Sequence, residues 1–182
     1  MEDNIVVIPN FNDRWDKDLR LTLSRDAEMR NVLHVFLTGR IDTYNSEFFQ
    51  GRLDKILEYG FVKLVFRCSS LEYVSSSGLG AFVTAHQKFV QKGGLFVFTD
   101  LQPKVLEVFQ LLGFNRLFCI ANDTVDAGYF LRGEGDAKKT VFPLSFQCPI
   151  CERRLQAKKS GRFRCSNCKS VISVADDGRV SL

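Results

Sequence analysis

Two Cys-x-x-Cys pairs lie in the last 35 residues: Cys148-Pro149-Ile150-Cys151 and Cys165-Ser166-Asn167-Cys168, separated by thirteen residues. Each pair is spaced to fold as a tight knuckle that aims both sulfurs at one point. Two knuckles complete a tetrahedral set of four thiolates, which suits zinc, an ion without redox chemistry that accepts four sulfurs. With every position taken by protein, such an ion is structural and does not catalyse. A segment of about 40 residues cannot bury enough apolar surface to fold unaided, so the metal supplies much of its folding free energy. A redox reading of Cys148 and Cys151 lacks the strand-to-helix setting such a motif needs, and the second pair makes it superfluous.

The other cysteines, Cys68 and Cys119, sit singly in apolar runs and read as small buried thiols. The opening "MEDNIVVIPN" begins acidic, and its apolar run is too short for a secretory signal. No apolar run approaches the ~18–20 residues that span a bilayer. The expectation is a cytoplasmic protein without a membrane partner.

Charge divides the chain. The net charge is +4, yet from Lys138 onward ten Lys and Arg face only Glu152, Asp176 and Asp177, while residues 1–137 hold 15 basic and 18 acidic side chains. An acidic body therefore carries a basic tail. Glycine and charge replace apolar periodicity in "LRGEGDAKKT", residues 131–140. This predicts a body over 1–131, a linker over 132–143 and a cysteine-bearing domain over 144–182.

The body alternates strand and helix patterns. Residues 19–23 and 32–37 read as strands, and "TGRID" reads as the turn that follows. Phe49, Leu53, Ile56 and Leu57 keep helical spacing up to Gly60. "FVKLVF", residues 61–66, is nearly continuously apolar, as in a central strand covered on both faces. From Leu79, the positions Phe82, Val83, His86, Phe89 and Val90 form one helical face that Gly93-Gly94 closes. "LFVFTD" predicts a strand, Pro103 the first turn of a helix reaching Gly113, and "RLFCIA" a last short strand. Asp123 caps a terminal helix through Leu131, and "IVVIPNF" offers an edge strand that Pro9 limits. The pattern predicts an α/β fold: a mixed or mainly parallel sheet packed with helices.

The loop between the central strand and the next helix reads "YVSSSGLG", residues 73–80. Strand-to-helix loops of such sheets carry function. Serine is also a favoured helix N-cap, so one of Ser75, Ser76 and Ser77 has a purely structural use.

The order of these elements, with "FLTGRID", "LVFRCSSLEYV", "SSSGLG", "KGG", "LFVF" and "VFQLLGF", resembles the STAS domain family of anti-sigma-factor antagonists over roughly residues 18–131. The resemblance implies a binding module and not an enzyme. It implies a partner-binding loop at Ser75, Ser76, Ser77 and Gly78. It also implies an anti-sigma factor or GHKL-type serine kinase as partner, a possible phosphatase, and phosphorylation of Ser76. The family's acidic residue before the acceptor is replaced here by Ser75, so Ser75 and Ser77 remain alternative acceptors. Phosphate brings about −1.5 to −2 charge, which the N–H groups of a helix N-terminus tolerate while a partner seated on the loop does not.

Enzyme chemistry has little to build on. His34 and His86 sit in a strand and on an apolar helical face, as packed histidines do, and there is no GxxxxGK[ST] or GxGxxG loop. The tail from residue 144 resembles a zinc ribbon: a strand, a knuckle, and a hairpin turning at Asp177-Gly178, with one zinc per chain held by Cys148, Cys151, Cys165 and Cys168. Arg162 and Arg164, flanking Phe163, leave a second reading open, a nucleic-acid-associated regulator that uses the basic ribbon as its reader. Protein docking or stabilisation is the other use of such a surface.

Overall fold

The computed structural model describes residues 7–133, 142–175 and 178–182. It forms two compact units, 1–105 and 106–182. The expected linker over 132–143 falls mostly outside the described residues. The second unit begins well before it, inside a helix of the body.

In the first unit, β1 (Leu19–Arg25), β2 (Val32–Ile41), β3 (Lys63–Val74) and β4 (Leu95–Thr99) form a sheet in that order. β1 runs antiparallel to β2, while β2–β3 and β3–β4 are parallel. The connections between parallel strands are α1 (Ser46–Glu58) and α2 (Ser76–Val90), as parallel pairing requires. The core is a phenylalanine cluster. Phe66 lies 5.3 Å from Phe82 and 4.9 Å from Phe98, and Phe49 meets Phe82 edge-on at 4.7 Å. All four rings are fully buried, in the tilted and offset contacts that aromatic quadrupoles favour.

Several boundaries differ from the sequence expectation. "TGRID" is not the turn: Thr38–Ile41 finish β2, and the chain turns at 42–45. Gly39 holds this end of the strand with φ +99°, where an added Cβ would lie 2.1 Å from the Asp18 carbonyl oxygen. β3 runs eight residues beyond Phe66, with shifts of register against β2 that let its polar continuation pair. Residues 7–14 form turns and not an edge strand; residues 5 and 6 lie outside the described residues. On α2 the buried face comprises Gly78, Leu79, Ala81, Phe82, Ala85 and Phe89, while Val90 is half exposed.

The second unit begins within α3 (Pro103–Leu111), which leads through a 3-10 turn, Phe114–Arg116, to β5 (Cys119–Ile120) and α4 (Thr124–Arg132). "RLFCIA" therefore yields a two-residue strand. Asp123 caps α4 as expected, accepting from the Asp126 N–H at 2.9 Å. Two small antiparallel sheets follow: β6 (Leu144–Gln147) with β7 (Arg154–Ala157), and β8 (Gly161–Arg164), β9 (Val171–Val174) and β10 (Val180–Ser181) in the order β10-β9-β8. β9 and β10 pair antiparallel, and Asp177 of the expected turn lies outside the described residues. β6 is fastened to α3 by Gln110, a buried side chain. Its Nε2 donates to the Pro143 carbonyl at 3.1 Å, and its Oε1 accepts from the Ser145 N–H at 2.9 Å. Arg154 adds an exposed ion pair to Glu107 at 3.0 Å.

No helix among the described residues is long and apolar enough to cross a membrane.

Candidate functional site

Because β3 extends to Val74, the loop before α2 shrinks to one residue, Ser75. Ser75 has extended backbone angles, and its side-chain oxygen accepts from the Gly78 N–H at 3.2 Å. Its own N–H donates to the Ile41 carbonyl at 2.8 Å, joining the helix entry to the end of β2. Gly78 makes this approach possible: an added Cβ would lie 2.7 Å from Ile41 Cγ2 and 2.9 Å from the Ile41 carbonyl oxygen. Ser75 is thus the N-cap, and Ser76 and Ser77 are the first two helical residues.

Their hydroxyls are placed differently. Ser77 Oγ lies 3.2 Å from Thr43 Oγ1, whereas Ser76 is exposed and has no side-chain hydrogen bond among the described residues. The first turn of α2 itself holds no acidic side chain to complement the helix dipole. Exposed aromatic surface adjoins the site in sequence and in the strand pairing: Tyr44 is 97% exposed, and Tyr73, opposite Arg40 across β2–β3, has that guanidinium 5.2 Å above its ring. Sequence reasoning missed Thr43, Tyr44 and Tyr73, because they join the serines only once β2 and β3 lengthen past their apolar cores.

The histidines are structural in setting. His34 Nε2 lies 2.9 Å from Asp26 Oδ2, and His86 packs against Phe96 with ring centroids 5.2 Å apart. Burial raises the Asp26 carboxyl, but hydrogen bonds from His34 and from the Met29 and Glu28 N–H groups outweigh it and leave the group below its ordinary value. Cys68 is buried, and burial raises its thiol far above the ordinary value; Cys119 is half-buried and raised for the same reason.

The four C-terminal cysteines come together, with all Sγ atoms within 4.8 Å of one another. Cys148–Cys168 and Cys151–Cys165 are each 3.6 Å apart. A tetrahedron with metal–sulfur bonds of about 2.3 Å has sulfur–sulfur edges of about 3.8 Å, so the donor set fits a structural metal. The two knuckles repeat one design. The Cys148 N–H donates to the Arg153 carbonyl and the Cys165 N–H to that of Ser170, each at 2.9 Å. Glu152 and Lys169, each four residues after the first cysteine, adopt φ +58° and +63°. Burial pushes Cys148 up to about 11, while hydrogen bonding from Asn167, ahead of the Arg153 N–H, brings Cys151 down to about 6. Ser170 likewise lowers Cys168. Arg162 and Arg164 are exposed on β8, and Phe163 between them turns half-buried into the small core.

The STAS domain family model matches residues 26–127, more than half of the chain. The chain belongs to the STAS domain family. A second family model, a domain of unknown function (DUF8512), matches residues 146–182 of this STAS protein. Among curated relatives, BtrV of Bordetella bronchiseptica is 29% identical over 104 residues, covering 57% of this chain and 87% of BtrV. The anti-sigma F factor antagonist of Paenibacillus polymyxa is 27% identical over 99 residues, covering 54% and 85%. Among solved structures, an anti-sigma factor antagonist from Mycobacterium paratuberculosis has a TM-score of 0.55 at 19% identity, covering 63% of this chain and 94% of its own. That similarity establishes the fold.

Proposed function

We propose that this STAS protein is an anti-sigma-factor antagonist that switches partners through phosphorylation of Ser76. The observation that carries the reading is the division of labour among the serines. Ser75 caps α2, Ser77 meets Thr43, and Ser76, in the first helical turn, presents a hydroxyl with no hydrogen bond among the described residues. Curated relatives named as antagonists of anti-sigma F and anti-sigma-B factors support the class of partner. The unmodified loop, with Ser75, Ser76, Ser77 and Gly78, seats an anti-sigma factor or GHKL-type serine kinase in the cytoplasm. A phosphate on Ser76 is welcomed by the helix N-terminus and expels the partner by charge and bulk. A phosphatase resets the switch. Ser76 has no imidazole beside it to act as a base, which favours a phosphate acceptor over a hydrolytic nucleophile.

The four cysteines hold one structural zinc, which supports the C-terminal β region as a ribbon. That region serves as a second protein contact.

The test is site mapping after incubation with the cognate kinase and ATP. One phosphate on Ser76, absent from Ser76→Ala, is the expected result. Phosphate on Ser75 or Ser77 overturns the residue assignment, and no phosphate on any of the three overturns the switch.

A further inference from the structure

A cleft of about 330 Å³ opens between the segment around Trp15, helix α1 and strand β1. Four consecutive β1 residues, Leu19 to Thr22, line it, so the backbone edge of the strand and not just one of its faces borders the space. β1 is the outer strand, paired only with β2 in this unit. The Arg40 N–H donates to the Asp18 carbonyl at 2.9 Å, so residues 18, 20 and 22 bond inward. By alternation, the N–H and C=O groups of Leu19, Leu21 and Leu23 point outward, unpaired among the described residues. A free edge of this kind is a template for another strand.

The cleft's side chains select what that strand carries. Arg14 and Arg20 form no ion pair or side-chain hydrogen bond among the described residues. Arg52 pairs with Asp13 at 3.0 Å, and Asp16, the one carboxylate lining the cleft, accepts from the Asp18 N–H at 2.9 Å and from Asn45 Nδ2 at 3.2 Å. Arg14 and Arg20 against that one carboxylate leave the lining net positive. Apolar surface lies beside it in Phe48 and in Trp15, which is 81% exposed. Strand pairing gives an added segment two faces of period two. One face meets Arg20, and the other, on the side of α1, meets Phe48.

We propose that the β1 edge binds an extended segment of a protein partner in which acidic and apolar residues alternate, added to the sheet as a further strand beside β1. This contact is distinct from the serine loop and does not depend on the switch proposed there.

Trp15 is the only tryptophan of the chain, so its emission reports on the cleft directly. The probe is a capped nine-residue peptide alternating glutamate and valine, titrated into the full-length protein. Its lysine–valine counterpart, and a version N-methylated at alternate residues on the edge facing β1, serve as comparisons. The expected result is a saturable change of Trp15 emission with the glutamate peptide only. Arg14→Glu with Arg20→Glu should weaken that binding at least about tenfold and transfer the preference to the lysine peptide. Both arginines are exposed, so these variants should keep the parent's circular dichroism and melting transition. Equal binding of acidic and basic peptides, or unaltered binding of the N-methylated one, overturns the proposal. No saturable change at millimolar peptide overturns it too. So does a concentration-dependent dimer in sedimentation that buries Trp15 without peptide, because a second copy is then the occupant.

Discussion

Replacing Ser75 by alanine removes the oxygen that holds the Gly78 N–H, and a lost N-cap costs ~0.5–2 kcal/mol. Ser76→Ala removes no side-chain hydrogen bond among the described residues, so its urea midpoint should match the parent's while that of Ser75→Ala falls; equal losses would mean that the cap is shared. Gly78→Ala should cost about 1–3 kcal/mol by the same measurement, because its Cβ would press on Ile41 and Val74. Three adjacent serines before an apolar helical pattern announce an N-cap, but not which serine it is. That choice depends on where β3 stops, and β3 continues through Ser69, Ser70, Glu72 and Tyr73, which have no continuous apolar signature. Titration adds a further residue-scale expectation. Asp26 is depressed in the folded state, so its contribution to stability is present above the ordinary carboxylate value of 3.8 and is lost as pH falls through the lower folded value. Asp26→Asn should therefore flatten the acid limb of a stability-versus-pH curve measured by denaturant titration, and an unchanged limb would contradict the His34 pairing as its source.

Helices and buried strands were legible at the element scale because their apolar spacing is regular: Phe49, Leu53 and Ile56 on α1, and Leu64, Val65 and Phe66 in β3, are fully buried. "RLFCIA" was less so, since an apolar run alone does not separate a strand from the 3-10 turn that Phe114–Arg116 form. Gln110 was not legible at all. A polar side chain within an apolar helical run reads as solvent-facing, yet here it is buried and both ends of its amide bond the backbone around β6. Gln110→Ala would leave the buried Ser145 N–H without an acceptor, a loss of about 1–3 kcal/mol. Hydrogen exchange of Leu144–Gln147 should accelerate roughly tenfold to a hundredfold in that variant. Unchanged exchange would show that β6 is held by its pairing with β7 alone.

At the scale of the whole molecule, the chain joins a STAS domain to a region whose own core is only a few side chains, among them Leu144, Phe146, Ile172 and Val174 beside the cysteines. Paired Cys-x-x-Cys spacing was sufficient to foresee the cysteine cluster, because four donors at that spacing have few other ways to fold. Metal analysis of protein never exposed to chelator should give about one zinc per chain, and chelation should melt the β6–β10 region while the sheet of the first unit persists. Absence of zinc, or a Cys148–Cys151 disulfide in reducing buffer, would contradict this. The central claim is that charge at Ser76 decides whether the partner stays. Its most direct test is the affinity of the anti-sigma partner for the parent, Ser76→Ala and Ser76→Asp proteins, measured by calorimetry alongside their melting transitions. The account predicts that Ser76→Ala binds like the parent, and that Ser76→Asp binds at least about tenfold more weakly with its melting transition nearly unchanged, since a negative charge suits the helix N-terminus. Ser76→Asp binding as tightly as the parent would contradict it.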